Sequence, residues 1–80
     1  KFGTLKDINF NIKNFKRIFL KGADLTNAKL IGAILNDTNF TGADLTLANM
    51  SFAKVKNTIF DNASMCETVM PDKTLTLSCD

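Results

Sequence analysis

The sequence predicts an all-β solenoid, a β-helix in which short extended segments and turns wind into stacked coils. The first observation is a period of five: an apolar residue stands at every fifth position from Leu5 to Leu75, usually Leu or Phe. The second is that the residue two positions earlier is small from Ala23 to Ala63, either Ala or Thr. A period of five fits neither an α-helix (3.6) nor a flat strand (2).

The pentads are nested in a repeat of twenty residues, which predicts four sides per coil. Thr replaces the small Ala at Thr38 and Thr58, and residues 22–26 recur unchanged as residues 42–46. We expect one large and one small side chain per side to point inward, and the coils to stack at strand spacing, about 4.8 Å. The predicted interior is then a set of ladders, of which two are Leu25–Leu45–Met65 and Leu20–Phe40–Phe60.

Several pentads follow the pattern A(D/N)LXX. They are Ala23-Asp24-Leu25, Ala28-Lys29-Leu30, Ala43-Asp44-Leu45, Ala48-Asn49-Met50 and, with Thr for Ala, Thr38-Asn39-Phe40. Over residues 18–70 the chain therefore resembles the pentapeptide-repeat family. The resemblance implies a right-handed quadrilateral β-helix of about three to four coils of 20 residues. A helical Leu/Ala repeat is the alternative, and the Asn, Thr and Gly content disfavours it.

Both ends depart from the pattern. Lys13 stands where Ala is expected, and Ile8 and Ile18 also replace Ala, so residues 1–17 are predicted to form an irregular first coil. A short amphipathic helix within residues 1–16 is a weaker alternative. Pro71 lacks a backbone donor and is expected to end the ladder. Residues 71–80 are then predicted to be a tail capping the last coil.

The composition argues against catalysis. The chain has 80 residues, a net charge of +2 and no His, so Ser-His and Cys-His pairs are absent. It has no glycine-rich phosphate loop, and an interior filled by Leu and Phe leaves no room for a ligand. We therefore predict no enzyme activity, no cofactor, no metal site and no small-molecule substrate. No apolar run reaches the length of a membrane span.

The two cysteines, Cys66 and Cys79, leave two interpretations open. An even count in a small domain favours a disulfide, whereas two unpaired thiols fit a cytosolic protein. Residues 66–72 followed by Cys79 are similar to the C-terminal ending of cyanobacterial and plastid pentapeptide-repeat proteins. That resemblance implies a Cys66–Cys79 disulfide and a thylakoid-lumen location, with periplasm or cytoplasm as alternatives. Lys73 replaces the glycine expected in this ending.

The chain opens on Lys1 without a hydrophobic signal segment or an initiator Met. We therefore expect a trimmed fragment or a mature form, from which a targeting segment has been removed.

Positions in the pentads also predict the surfaces. We number the sides by their central residues, from the first around Leu25 to the fourth around Leu20. The first side is expected to be acidic, and the third side to be basic. The acidic residues are Asp24, Asp44 and Glu67, with Asp7 and Lys6 beside them; the basic ones are Lys16, Arg17, Lys54 and Lys56, against Asp37. Ordinary solvated charge is the alternative interpretation.

The second side is predicted to carry a contact patch. Its apolar residues are Ile12, Ile31 and Phe52, with Leu47 and Ile34 across the corners and Gly32 leaving a hollow. Converging exposed apolar residues are typical of interaction surfaces. The alternative is that the protein's own terminal segments cover this patch.

These observations predict a non-catalytic structural or protein-interaction module that binds a protein partner or itself. The alternatives are a cytosolic pentapeptide-repeat regulator and a DNA mimic that binds gyrase, a role that family members fill with long acidic rods. Net charge +2 and the short length disfavour the mimic. Direct nucleic-acid binding is disfavoured because no aromatic residues stand among the lysines of the basic side.

Overall fold

The computed structural model describes residues 4–79, and the backbone forms a stack of coils. Single residues pair in parallel with residues twenty positions later, so each coil lies directly on the next. The bridged columns are Thr4–Asp24–Asp44–Ser64, Asn9–Lys29–Asn49–Val69, Asn14–Ile34–Lys54 and Phe19–Asn39–Ile59. Four columns per 20 residues correspond to the four sides that the sequence predicts.

A tight turn follows most of the sides. In the pentad of Leu25, the Ala28 N–H donates to the Leu25 carbonyl at 3.0 Å, and Asn27 has a φ of 60°. A four-residue turn with positive φ at its third residue is a type II turn. Because such turns return every five residues, the extended segments between them are too short to form long strands.

The core is the set of inward ladders. Phe40 is fully buried, and its ring stacks on Phe60 with centroids 5.3 Å apart and planes at 4°. The predicted contact between these two rungs of the Phe ladder is therefore confirmed. The buried apolar residues are Leu20, Ala23, Leu25, Ala28, Leu30, Ala33, Leu35, Phe40, Ala43, Leu45, Ala48, Met50 and Ala53.

The inward threonines satisfy their hydroxyls within the backbone. Thr38 Oγ1 donates to the Phe15 carbonyl at 2.6 Å, and Thr58 Oγ1 donates to the Leu35 carbonyl at 2.7 Å. Each bond joins one coil to the coil before it, 23 residues earlier. A buried hydroxyl costs free energy only when it lacks a partner, so Thr can replace Ala here.

The C-terminal segment forms the only two strands of the described residues, β1 (Met65–Val69) and β2 (Leu75–Ser78). They pair antiparallel, with Cys66 opposite Leu77 and an irregularity between Cys66 and Val69. The other edge of β1 bonds to the preceding coil, since the Val69 N–H donates to the Ala48 carbonyl at 2.9 Å. On this side β2 therefore lies where a further coil would lie.

The N-terminal segment is more regular than expected. Parallel bridges begin at Thr4, and the Leu5 N–H donates to the Asp24 carbonyl at 2.6 Å, as in later coils. Residues 4–17 therefore do not form the irregular coil predicted, and residues 4–16 contain no helix. The backbone ladder tolerates Lys13 because its side chain is exposed at the end of the stack. The part of this prediction on residues 1–3 lies outside the described residues.

Candidate interaction surfaces

The corners of the coils hold every fifth residue in the left-handed region. Glycine, which adopts positive φ without a steric penalty, occupies only three of these corners: Gly22, Gly32 and Gly42. Large apolar residues occupy three others, with φ of 54° at Ile12, 64° at Leu47 and 62° at Phe52. For ordinary residues this conformation costs about 1–2 kcal/mol. Of the three, Ile12 is the least suited to positive φ because its side chain is branched at Cβ.

These three apolar side chains point into solvent. Ile12 is 81% exposed, Phe52 is 63% exposed and Leu47 is 50% exposed. Their strained backbone is therefore not offset by burial within the described residues. The remaining members of the predicted contact patch, Ile31 and Ile34, are half-buried.

The contact patch extends over two corners. Ile12, Gly32 and Phe52 succeed one another at the corner between the second and third sides, because they stand twenty residues apart. A Cβ on Gly32 would lie 3.2 Å from Ile12 Cγ2, so the Ile12 side chain fills the space beside this glycine. Leu47 lies at the corner between the first and second sides. The hollow predicted at Gly32 is thus occupied by Ile12.

The turn after Pro71 brings a cation to the contact patch. Lys73 Nζ lies 5.0 Å from the centroid of the Phe52 ring, within range of a cation–π interaction. Lys73 has a φ of 71°, the conformation that the glycine expected here would adopt readily. The Lys73 N–H donates to the Met70 carbonyl at 2.8 Å, which closes this turn.

The adjacent Asp72 is held in its ionised form. Thr74 donates to Asp72 Oδ1 from its hydroxyl at 2.6 Å and from its N–H at 3.0 Å. The hydroxyl bond foremost, and then the backbone bond, lower the pKa of the Asp72 carboxyl below its usual 3.8.

The charged residues predicted for the first and third sides differ in their exposure and in their hydrogen bonds. Lys16, Arg17, Lys54 and Lys56 are all exposed on the basic side. On the acidic side, Asp44 is half-buried and accepts from the Thr46 N–H at 3.1 Å and hydroxyl at 2.6 Å. Asp24 accepts from Thr26 in the same way. The aspartates thus stabilise their own turns as well as contributing charge.

The sequence analysis missed two exposed apolar residues in one column of the fourth side. Phe19 is 68% exposed and Ile59 is 41% exposed, and both bridge to Asn39, which lies between them. Their position immediately before the inward apolar residue is Asp or Asn in the A(D/N)LXX pattern. An apolar residue at this position is the signal that could have revealed the column.

The cysteines form the disulfide that the sequence resemblance implied. Cys66 and Cys79 are bonded, with Cα atoms 4.3 Å apart, and the bond fixes β2 beside β1. An open groove of about 630 Å³ runs beside it, lined by Asp44, Thr46, Asn62, Ala63, Ser64, Cys66, Leu77 and Cys79. Glu67 lies close to both sulfurs. Because the sulfurs are bonded to each other, they are not thiolates available to a metal.

Comparison with models of known sequence families identifies the family of this chain. The pentapeptide repeats model matches eight copies, over residues 14–42 and 23–62, which together span more than half of the chain. The chain belongs to the pentapeptide-repeat family. Its fold is accordingly the right-handed β-helix of that family, and the bridges twenty residues apart are its stacked coils.

One solved structure agrees with this assignment, and a second is also similar to the chain. A pentapeptide repeat protein from the thylakoid lumen of Arabidopsis thaliana is 31% identical, with a TM-score of 0.53 over 84% of this chain and 54% of its own. The chain thus spans about half the length of that neighbour. A pentapeptide repeat protein involved in heterocyst differentiation regulation, from the cyanobacterium Nostoc, is 21% identical over 94% of this chain and 42% of its own, with a TM-score of 0.41. No curated protein matches significantly.

Among residues 4–79 the structure contains no helix with the length and apolarity needed to cross a membrane.

Proposed function

We propose that this pentapeptide-repeat protein is a non-catalytic interaction module that binds a protein partner, or a second copy of itself, through the contact patch. The proposal rests on the exposed apolar residues whose backbone has positive φ. Ile12 and Phe52 have an unfavourable backbone conformation and little burial to offset it. Strain of this kind commonly accompanies functional sites, and binding would supply the missing burial.

The described ends of the chain leave most of the contact patch exposed. The alternative interpretation was that a terminal segment shields these side chains. Within residues 4–79, Ile12, Leu47 and Phe52 remain half to four-fifths exposed. The tail reaches the patch at Phe52, whose N–H donates to the Pro71 carbonyl at 3.0 Å and whose ring lies beside Lys73. The described part of the tail instead pairs with β1.

The experiment is to measure association of the double variant Ile12→Asp, Phe52→Asp by sedimentation equilibrium, alone and with extract of the native compartment. We expect loss of self-association or of the partner complex with unchanged far-UV circular dichroism, because Asp tolerates positive φ. The matched control is Asn62→Asp, which introduces the same charge at an exposed residue with a φ of 58°, at the corner diagonally opposite to Phe52. Unchanged association of the double variant, or equal loss in the control, would contradict the proposal.

We also propose a thylakoid-lumen location. Support comes from the Cys66–Cys79 disulfide, which persists in oxidising compartments, and from the Arabidopsis neighbour of that compartment. Titrating thiols in denatured protein from its natural source, with and without reductant, tests this. We expect no free thiols until reductant is added. Two free thiols beforehand would favour a cytosolic regulator.

The DNA-mimic alternative remains disfavoured. A gyrase-binding mimic needs a long and strongly acidic rod, whereas this chain carries a net charge of +2. The parallel bridges run from Thr4 to Val69, which supports about three to four coils of 20 residues, followed by the tail at residues 71–80.

A further inference from the structure

The fourth side combines exposed apolar residues with unpaired cations. Phe19 and Ile59 project from the same bridged column, two coils apart. We call the fourth-side surface the set formed by these two residues and the cations that flank them. Its cations are Lys16, Arg17 and Lys56 at the corner with the third side, and Lys21 at the other end of the fourth side.

The cations of this surface are free to bind an external anion. All four are exposed, and none has an ion-pair partner within residues 4–79. Two carboxylates, Asp37 and Asp61, stand beside them, so four positive and two negative charges leave a net charge of +2. At the diagonally opposite corner stand Asp7 and Glu67, and the neighbouring first side carries Asp24 and Asp44. These carboxylates lie away from the four cations, although Lys6 stands beside Asp7 and Lys29 lies on the second side.

From this arrangement we propose that the fourth-side surface docks on an anionic lipid bilayer. The four cations attract the lipid headgroups, and the Phe19 and Ile59 side chains enter the boundary between headgroups and acyl chains. A bilayer fits both features because anionic headgroups stand above an apolar layer, at the depth a short apolar side chain reaches. The contact patch and its partner are not involved.

The experiment is cosedimentation of the disulfide-bonded protein with vesicles of phosphatidylglycerol and phosphatidylcholine, compared with vesicles of phosphatidylcholine alone. Binding is expected only to the anionic vesicles, and it should weaken as salt screens the charges. Lys16→Gln with Arg17→Gln should lower the partition coefficient about fivefold for each cation removed. Phe19→Ser should lower it about tenfold, because less apolar surface enters the bilayer.

The matched control is Leu47→Ser, which removes an exposed apolar side chain at the diagonally opposite corner. It should bind vesicles like the unchanged protein while weakening the protein contact of the proposed function, so the two proposals fail independently. Far-UV circular dichroism checks that each variant folds. Absence of binding to anionic vesicles, or equal loss in Leu47→Ser and Phe19→Ser, overturns the inference. Binding to polyglutamate but not to vesicles overturns it in favour of an acidic polypeptide.

Discussion

At the scale of single residues, the pattern A(D/N)LXX is explained by hydrogen bonds. The Asp or Asn accepts the N–H two residues later, as Asn39 accepts from Thr41 at 2.9 Å and Asn49 from Ser51 at 2.9 Å. The same side chain accepts the Thr41 or Ser51 hydroxyl. These bonds close an Asx turn at the start of the corners that carry Asp or Asn at this position, which is why short polar residues recur there.

The buried hydroxyl of Thr38 makes a testable contribution. Thr38→Val keeps the shape but loses the 2.6 Å bond to the Phe15 carbonyl, and we expect it to lower the free energy of unfolding by about 1 kcal/mol. Denaturant unfolding measures this. Thr58→Val is the matched comparison, since its bond is similar but its side chain is only half-buried, and its loss should be smaller. A more stable Thr38→Val variant would contradict this account.

At the scale of elements, the aromatic ladder has strict size requirements. Phe40 is fully buried between Leu20 and Phe60, so Phe40→Ala leaves a cavity and should cost about 3–5 kcal/mol. Phe40→Leu introduces the same residue type as Leu20, the preceding rung, and should lower the free energy of unfolding by less than about 1.5 kcal/mol. Chemical denaturation of both variants tests this ordering, and similar losses in the two would argue against a packed ladder.

The tail is the element most dependent on a covalent bond. β2 pairs with β1 alone, and both Leu75 and Leu77 are more than half exposed, so apolar burial contributes little to holding it. Cys79→Ser should therefore reduce stability by about 3 kcal/mol and speed amide exchange in β2 more than in the coils. Exchange measured by NMR distinguishes the two regions. Uniform acceleration across the whole chain would contradict separate detachment of the tail.

At the scale of the whole molecule, periodicity explains which features were predictable. The five-residue and twenty-residue periods predict the turns, the ladders and the inward Phe40, because each residue's direction follows from its place in the pentad. The regular coil at residues 4–17 was missed, since Lys13, Ile8 and Ile18 stand at positions expected to hold Ala and were interpreted as defects in the repeat. The contact patch was proposed from the sequence, but the positive φ at Ile12 and Phe52 is a backbone property that residue types conceal. Phe19 was overlooked although the twenty-residue period places it in one column with Ile59, and although both stand where the pattern has Asp or Asn.

The central claim is that the apolar corners serve contact with another molecule rather than the stability of the coil. The most direct test is the free energy of unfolding of the double variant Ile12→Asn, Phe52→Asn, measured with guanidinium chloride. Asn adopts positive φ more readily than Ile or Phe, and little burial is lost from side chains that are 81% and 63% exposed. We predict a gain of about 0.5–1 kcal/mol per site. A loss of stability would show that these residues hold the fold itself, and would contradict the claim.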